Sequence, residues 1–204
     1  MTNSSVLLEK AVNQFASLPG IGRKTALRFV LYLLNKKTEE VDNFVQSISN
    51  LKKNIHECKI CHNISDNEIC DICSDTKRDN TTICVVENIK DIISIEATSQ
   101  YNGLYHVLGG IISPMDGIGP ADLHINSLIE RIEKEPGQEI IFALSATIEG
   151  DTTGYYIYKK LKDKEQLTIS TIAKGISIGN DLEYTDELTL GRSIVNRVKF
   201  NLNE

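Results

Sequence analysis

Four cysteines constrain the fold of this chain more than any other feature of its sequence. They follow the spacing C-x2-C-x8-C-x2-C and are Cys58, Cys61, Cys70 and Cys73. Two C-x-x-C pairs this close together bring four thiolates within reach of one tetrahedral ion, which is how four-cysteine structural zinc sites are built. Four protein ligands leave no position for a reacting water. The predicted zinc, one per chain, therefore has a structural role and no catalytic one.

Two disulfides, or a single redox-active C-x-x-C, are the alternatives to zinc. Residues 1–10 carry Glu9 and lack the apolar core of a signal peptide. We therefore expect a cytoplasmic protein in a reducing compartment, which disfavours disulfides. His56 and His62 flank the cluster and can replace a thiolate, although four cysteines already saturate the ion. Cys84 lies in an apolar run and is interpreted as a small buried hydrophobe.

Charge is divided unevenly along the chain. The formal net charge is -6, but residues 1–60 hold 9 Lys and Arg against 5 Asp and Glu, and residues 61–204 hold 13 against 23. A basic N-terminal part can bind phosphates while an acidic remainder repels DNA or binds proteins, although solvated surface charge is the simpler explanation. The longest uncharged apolar stretch, residues 29–34, is too short to cross a bilayer, so no membrane association is expected.

Helical periodicity dominates the N-terminal part. Apolar residues recur at helical spacing in two segments, at Leu8, Ala11, Val12 and Phe15 and at Ala26, Phe29, Val30, Leu33 and Leu34. Between them, residues 18–22 read Leu-Pro-Gly-Ile-Gly, a tight turn whose glycines permit positive φ. A third helix is predicted from Thr38, as its N-cap, with an apolar stripe at Val41, Phe44, Val45 and Ile48.

From residue 81 the pattern changes to strands that alternate with helices. The predicted strands are 83–87, 105–108, 140–145 and 168–173, and the predicted helices are 89–97, 121–133 and 153–161, with a last one near 188–198. Apolar strands separated by helices of this length indicate a largely parallel sheet that is covered on both faces. The fold class is therefore mixed and multidomain: an all-helical N-terminus, a four-cysteine zinc knuckle, an α/β domain and a C-terminal helical segment.

The helix-turn-helix segment is a candidate phosphate-binding site. In a helix-hairpin-helix, the turn exposes backbone N–H groups at the start of the second helix, where the helix dipole also favours an anion. Gly20 and Gly22 lie in this turn, and Arg23, Lys24 and Arg28 follow it. Lys24 and Arg28 are four residues apart and share one helical face. A plain helical hairpin with solvated cations is the alternative. Phosphate contacts of this kind predict little sequence preference and strong salt dependence.

Three acidic residues follow predicted strands. Glu87 ends one apolar strand, and Glu149 and Asp151 come after another. Carboxylates at the carboxyl ends of parallel strands face the crevice where ligands usually bind, and three of them can hold Mg²⁺. Helix caps or solvated surface charges are the alternative interpretation.

Other segments carry weaker indications. Residues 109–120 form a long loop rich in glycine and proline that does not match a nucleotide-binding phosphate loop, but a binding role is possible. Residues 179–184 form a short acidic turn. His106 and His124 are isolated in the sequence and are interpreted as structural. No Ser/His/Asp or Cys/His set has catalytic spacing.

Taken in order, these elements resemble the bacterial recombination mediator family RecR over nearly the whole chain. The resemblance is carried by the 18–22 turn, the four cysteines and several further segments. These segments are 105–108 (Tyr-His-Val-Leu), 112–120 (Ile-Ser-Pro-Met-Asp-Gly-Ile-Gly-Pro), 149–151 (Glu-Gly-Asp) and 181–184 (Asp-Leu-Glu-Tyr).

The resemblance implies domains and residue roles. It divides the chain into a helix-hairpin-helix DNA-binding region (1–55), a four-cysteine zinc finger (56–80), a Toprim domain (81–175) and a C-terminal segment for oligomerisation (176–204). Glu87, Glu149 and Asp151 would be the Toprim acids, which offer a surface to partner proteins. Lys24 and Arg28 would fall on the family's DNA-contacting positions.

The resemblance also implies a function. Members of this family are not known as enzymes. They bind double-stranded and gapped DNA with little sequence specificity, act with RecO and RecF to help load recombinase at gaps and breaks, and assemble as homodimers or ring-shaped homotetramers. We therefore expect a non-catalytic, nucleoid-associated DNA clamp and adaptor. The alternative is a Mg²⁺-dependent Toprim enzyme that cleaves or joins DNA strands. A sequence-specific zinc regulator is disfavoured because residues 58–80 are acidic.

Overall fold

The structure is a computed structural model that describes residues 5–134, 139–164, 166–177, 179 and 181–199. The chain divides into two compact units, Met1–Ile55 and His56–Glu204. Between residues 5 and 55 the regular structure of the first unit is entirely helical, and all of the described strands lie in the second. The predicted finer boundaries at residues 80 and 175 remain predictions.

The first unit is a helical hairpin followed by a third helix. Its helices are α1 (Val6–Ala16), α2 (Arg23–Leu34) and α3 (Thr38–Asn54). α1 and α2 bury Val12, Ala26 and Val30 between them, and Leu8, Ala11 and Phe15 of the first predicted stripe pack around these three. Phe29 and Leu34 of the second predicted stripe are exposed. Gly20, in the turn between the helices, has a φ of +76°, which glycine adopts without steric cost. Gly22 has a φ of -77°, so only Gly20 uses the conformational freedom that the sequence offers.

Most of the apolar stripe predicted for the third helix is exposed to solvent. Phe44, Val45 and Ile48 are exposed by 44 to 58%. α3 begins at Thr38, but its N-cap is Lys37. The prediction that Thr38 is the cap was therefore wrong by one residue, because the Glu40 carboxylate accepts a hydrogen bond from the Lys37 N–H at 3.2 Å. Among the residues that the structure describes, no helix combines the length and apolar character needed to cross a membrane.

The second unit begins with a small knuckle and continues as an α/β domain. The knuckle consists of β1 (His56–Glu57), β2 (Ile64–Ser65) and α4 (Asp71–Ser74). The strands of the sheet are β3 (Asp79–Val86), β4 (Gly103–Val107), β5 (Glu139–Ala143) and β6 (Thr168–Thr171). The helices are α5 (Ile89–Glu96), α6 (Ile125–Lys134), α7 (Ile148–Leu161) and α8 (Glu187–Val195). Three short 3₁₀ turns complete it at Pro114–Asp116, Pro120–Asp122 and Leu182–Tyr184.

The sheet is parallel throughout, in the order β4-β3-β5-β6. Val86 pairs with Val107 on one side and with Ala143 on the other, so the carboxyl ends of the three strands align at one edge. Helices α5, α6 and α7 make the crossovers. The predicted parallel sheet is confirmed.

Both faces of the sheet are covered. Side chains alternate along β3, so Ile83 and Val85 pack in the core that α6 and α7 complete. Cys84 and Val86 point to the opposite face, where Ile92 of α5 packs. Because both faces are buried, the two central strands read as continuous apolar runs over 83–86 in β3 and 140–143 in β5, which is why they can be recognised in the sequence.

The largest difference from the predicted boundaries lies at α7, which begins at Ile148 rather than at residue 153. The Thr147 hydroxyl caps this start by accepting a hydrogen bond from the Gly150 N–H at 3.1 Å. Glu149 and Asp151 consequently lie in the first helical turn, not in a loop. Two smaller corrections are that α6 begins at Ile125 rather than 121, and that α8 ends at Val195 rather than near 198.

Candidate zinc centre, phosphate site and acidic cluster

The four cysteines of the knuckle converge on one point. Their sulfur atoms all lie within 4.8 Å of one another, and Cys58, Cys61 and Cys70 are buried while Cys73 is partly buried. The Cys61 and Cys70 Sγ atoms are 3.5 Å apart. That is far longer than an S–S bond of about 2.0 Å and close to the ~3.8 Å expected between two thiolates that share a tetrahedral zinc. The cluster therefore fits one structural Zn²⁺, as predicted, and the disulfide alternative is not realised.

Local hydrogen bonds shape the cysteine site before any metal binds. The His62 N–H donates to the Cys58 carbonyl at 2.9 Å and closes the first C-x-x-C turn. The Cys70 N–H donates to the Cys58 sulfur at 3.3 Å. Hydrogen bonds from the Cys61 and Cys73 side chains hold the pKa of Cys70 below its ordinary value, which favours the thiolate form that zinc requires.

The neighbouring histidines and the fifth cysteine take other positions. His56 is exposed in β1, and the His62 ring nitrogens contact the Glu57 carboxylate and the Ser127 hydroxyl instead of the sulfurs. Neither histidine joins the four-sulfur group in the described part of the chain. Cys84 is buried in β3, where burial raises the pKa of its thiol to about 12. The interpretation of Cys84 as a small hydrophobe is confirmed.

The start of α2 has the properties of an anion site. Gly22 is the N-cap and has no side chain to accept a hydrogen bond, and the first turn contains no acidic residue. By contrast, α1 is capped by the Ser5 hydroxyl and α3 carries Glu39 and Glu40 in its first turn. A Cβ added at Gly22 would find no atom within 4 Å, so packing within the unit does not require glycine there. The first N–H groups of α2 consequently lack an acceptor from the side chain of the cap.

The three cations near this helix end differ in their contacts. Lys24 and Arg28 are exposed, and neither has an ion pair among the described residues. Arg23 instead reaches back to α1, where its guanidinium donates to Asn13 Oδ1 at 2.8 Å and to Glu9 Oε1 at 2.9 Å. Arg23 therefore joins the two helices of the hairpin.

Glu87 lies at the carboxyl edge of the sheet, as its place after β3 predicts. Its Oε1 accepts a hydrogen bond from the Ser145 N–H at 2.5 Å, which joins the ends of β3 and β5. Glu149 and Asp151 lie in the first turn of α7, which follows β5 in the sequence. Within the described ranges, these three carboxylates do not form a group whose ligand atoms lie within 4.8 Å of one another.

Asp151 is already paired with cations from the C-terminal part of the chain. The Lys174 ammonium contacts Asp151 Oδ1, and Arg192 Nη2 lies 3.8 Å from the other carboxylate oxygen. Two positive charges therefore lie beside the carboxylate to which a divalent ion would have to bind, and they compete with such an ion for it. The sequence pattern gave no indication of this pairing, because residues 151, 174 and 192 are brought together only by the fold.

A histidine cluster is the feature that sequence reasoning missed. The His62 and His124 rings stack with centroids 3.7 Å apart, and the His106 ring lies edge-on to His62 at 5.2 Å. His106 is fully buried, and burial lowers its pKa to about 3. Its burial agrees with the predicted structural role, and the fold brings His62, His106 and His124 together although they are isolated from one another in the sequence. Glu57 completes the cluster through a 2.5 Å contact with His62 Nδ1.

The glycine-rich loop after β4 is fixed to the domain. Ser113 and Ile118 form a bridge across the loop, and the Ile112 N–H donates to Thr153 Oγ1 in α7 at 2.9 Å. Met115 at the tip is 97% exposed. A binding role for this loop stays a prediction. The predicted acidic turn at 179–184 includes residue 180, which is outside the described residues.

Four family models match consecutive parts of the chain. They describe the RecR helix-hairpin-helix (residues 8–52), the RecR zinc finger domain with its four cysteines (55–75), the Toprim domain (81–173) and the RecR C-terminal region (175–198).

Curated relatives that carry the name "Recombination protein RecR" match this chain nearly end to end. The protein from Bacteroides thetaiotaomicron is 60% identical over 196 residues, which cover 96% of this chain and 95% of the relative. The protein from Porphyromonas gingivalis strain W83 is 57% identical, with 97% and 95% covered. The protein from Flavobacterium psychrophilum is 56% identical, with 98% and 97% covered.

Proposed function

This chain belongs to the RecR family of recombination proteins, which supports a role in recombinational repair, and from this premise we propose that it is a DNA-binding adaptor without catalytic activity. In this proposal the N-terminus of α2 holds a backbone phosphate, and Lys24 and Arg28 bind neighbouring phosphates. The four-cysteine zinc site stabilises the knuckle, and the acidic Toprim domain binds partner proteins.

The observation that carries the proposal is the uncapped, acid-free start of α2. Backbone N–H groups at such a helix end bind anions, and the helix dipole adds to the attraction. Gly22 leaves the space in front of these groups open, because a side chain there would meet no atom of the unit. A close approach between backbone and ligand is one of the reasons for glycine at a position with ordinary φ. Such contacts read the DNA backbone and not the base sequence.

Lys24 and Arg28 are the cations we assign to direct DNA contact. Both are exposed and lie one helical turn apart on α2, so their charges can bind successive phosphates. Arg23 has a different role in this proposal. Its bonds to Asn13 and Glu9 fix the hairpin and hence the direction of the α2 N-terminus.

The partner proteins are assigned from family resemblance and charge. Residues 61–204 hold ten more acidic than basic residues, 23 against 13, which suits a protein-binding surface that DNA avoids. We propose that RecO and RecF bind there, near Glu87, Glu149 and Asp151. A homodimer or a ring-shaped homotetramer around DNA would also cover exposed apolar residues such as those of α3. Light scattering with and without duplex DNA tests this assembly.

A Mg²⁺-dependent Toprim enzyme is the weaker candidate. Catalysis of that kind needs carboxylates free to bind the ion, and Asp151 is engaged by Lys174 and Arg192. This engagement supports the non-catalytic assignment.

The test of DNA binding is a charge reversal with a matched control. Lys24→Glu with Arg28→Glu should abolish binding to a fluorescent duplex at low salt. The control, Lys159→Glu with Lys162→Glu, makes the same change in formal charge at two exposed positions in or just after α7 and should bind almost as the wild type does. Equal loss in both double variants would mean that net charge alone governs binding, and unchanged affinity in the first would refute the assignment to α2.

A further inference from the structure

Three potential metal ligands meet within the second unit, where the knuckle contacts the segment before α6. Glu57 ends β1, His62 directly follows Cys61, and His124 directly precedes α6. Glu57 Oε1 lies 2.5 Å from His62 Nδ1 and 3.8 Å from His124 Nε2. One ligand atom from each of the three residues lies within 4.8 Å of the other two.

We propose that Glu57, His62 and His124 form a second transition-metal site, distinct from the four cysteines. It would take Zn²⁺ or a similar ion through two imidazole nitrogens and one carboxylate oxygen. This inference does not depend on the proposed DNA-binding function.

The spacing of the donor atoms is close to that of a tetrahedral site. With metal–nitrogen and metal–oxygen distances near 2.0–2.1 Å, neighbouring ligand atoms stand about 3.3 Å apart. The two distances to Glu57 Oε1, 2.5 and 3.8 Å, bracket this value. Coordination therefore needs Glu57 Oε1 to shift by less than about 1 Å. It also needs the His124 ring, which stacks on His62, to turn so that its lone pair points at the same ion.

A hydrogen-bond partner holds the His62 ring in the orientation that coordination needs. When Nδ1 binds a metal, Nε2 carries the proton and requires an acceptor. Ser127 Oγ lies 2.7 Å from His62 Nε2. The Ser127 hydroxyl can donate its own proton to the His124 carbonyl at 2.9 Å, so its oxygen is available to accept. Outer partners of this kind fix the ring and the tautomer of metal-bound histidines.

The donor set and exposure favour a particular class of ion. Two imidazoles with one carboxylate suit Zn²⁺, Ni²⁺, Co²⁺ or Cu²⁺, whereas Mg²⁺ and Ca²⁺ prefer oxygen ligands. The side chains of Glu57, His62 and His124 are 57%, 15% and 34% exposed, so an ion can enter from solvent. Three protein ligands leave one position for water.

Metal at this site would crosslink separate segments of the second unit. Glu57 and His62 belong to the knuckle, and His124 leads into α6, whose Leu128 and Ile132 are buried in the main core. An ion bound to all three side chains would therefore stabilise the attachment of the knuckle to the sheet domain.

The test counts metal in the full chain with the cysteine site filled. Wild-type protein carrying one zinc is titrated with Zn²⁺, and Co²⁺ is used in parallel as a spectroscopic probe. We expect about one further equivalent to bind, for a total of about two per chain. His124→Gln and His62→Asn should each bind only the first equivalent, and retention of that zinc shows that the variant is folded. His56→Gln, which removes the exposed histidine next to Glu57 in β1, should keep both equivalents.

A variant that spares the ligands tests the geometry. Ser127→Ala removes the acceptor for His62 Nε2, and we expect it to weaken binding at the second site by about 10- to 100-fold. No further equivalent in the wild type would overturn the proposal. So would a second equivalent that survives His124→Gln, or one that is lost equally in His56→Gln, since either result places the ion elsewhere.

Discussion

The backbone N–H of Val107, the last residue of β4, donates a hydrogen bond of 2.8 Å to the carbonyl of Cys61. A zinc-binding residue is thereby joined directly to an edge strand of the parallel sheet. Ile72 of α4 also packs against both the cysteine cluster and the core on the α5 face of the sheet. The metal site and the α/β domain therefore share contacts, and loss of zinc should destabilise both.

Replacing a zinc ligand should destabilise the second unit as a whole. Cys58→Ala should release about one equivalent of zinc and lower the free energy of unfolding by about 4 kcal/mol or more, because the folding of such knuckles depends on the metal. Metal analysis and thermal melting followed by circular dichroism provide the measurement. Cys84→Ala is the matched control, since it removes a buried thiol away from the metal site and should keep the zinc. Zinc retained in full by Cys58→Ala would contradict the assignment.

Gly150 should not tolerate a side chain. A Cβ there would lie 2.1 Å from the Ser145 carbonyl oxygen, so the start of α7 would have to move away from the end of β5. We expect Gly150→Ala to lower the free energy of unfolding by about 2 kcal/mol or more, measured by urea denaturation. Gly191→Ala in α8 meets no atom within 4 Å and should be neutral or stabilising by about 0.5–1 kcal/mol. Equal stability of the two variants would show that the contact at Gly150 is not tight.

The ion pair between Arg78 and Glu96 should make stability depend on pH. Its oxygen and nitrogen atoms meet at 2.5 and 3.0 Å, and the Tyr105 hydroxyl donates to the same carboxylate at 2.7 Å. The Arg78 hydrogen bonds lower the pKa of Glu96 below its ordinary value. The contribution of this ion pair to the free energy of unfolding is therefore complete above the pKa that Glu96 has in the unfolded chain, about 4.3. It is lost as the pH falls through the lower pKa that Glu96 has in the folded protein.

Glu96→Gln tests this pair. At neutral pH we expect it to reduce the free energy of unfolding by about 2 kcal/mol, because a partly buried charge loses its partner. The difference from wild type should shrink below about pH 4. Comparing the two proteins at each pH removes the effect of zinc release in acid, which both share. Glu133→Gln, at a more exposed pair with Lys164, should have little effect. A difference that stays constant down to the acid limit would exclude a role for Glu96 ionisation.

The Toprim acids should not support strand cleavage. Plasmid incubated with the protein and Mg²⁺ should stay supercoiled, because Asp151 is held by Lys174 and Arg192. Cleavage that Glu87→Ala abolishes would establish the enzyme hypothesis instead. Cleavage that Glu87→Ala leaves intact would indicate a contaminating nuclease.

The sequence was sufficient for the features that depend on local pattern. Continuous apolar runs such as 83–86 indicate strands buried on both faces, and the parallel sheet follows from the helices between them. The cysteine spacing predicts a cluster whose geometry fits zinc, because each C-x-x-C pair closes through its own backbone turn. The second turn is closed by the Ser74 N–H, which donates to the Cys70 carbonyl at 3.0 Å. The RecR resemblance is confirmed by relatives that match over nearly the whole chain.

Features that depend on tertiary contacts were beyond the sequence. The early start of α7 is different, because it rests on the Thr147 cap, a local signal that the apolar periodicity did not reveal. The histidine cluster combines His62, His106 and His124, which lie far apart in the chain and meet only because the knuckle is attached to β4. The contacts of Arg23 with α1 likewise need the hairpin to be formed, so its spacing alone could not separate it from Lys24 and Arg28.

The salt dependence of DNA binding tests the central claim most directly. The affinity of wild-type protein and of Lys24→Ala with Arg28→Ala is measured for one duplex between about 50 and 200 mM salt. Because each lost phosphate contact reduces the slope of log affinity against log salt by about 1, the double variant should show a slope smaller by about 2, with similar weakening on duplexes of different sequence. An unchanged slope would contradict the account, since it would mean that these two cations do not contact the DNA backbone.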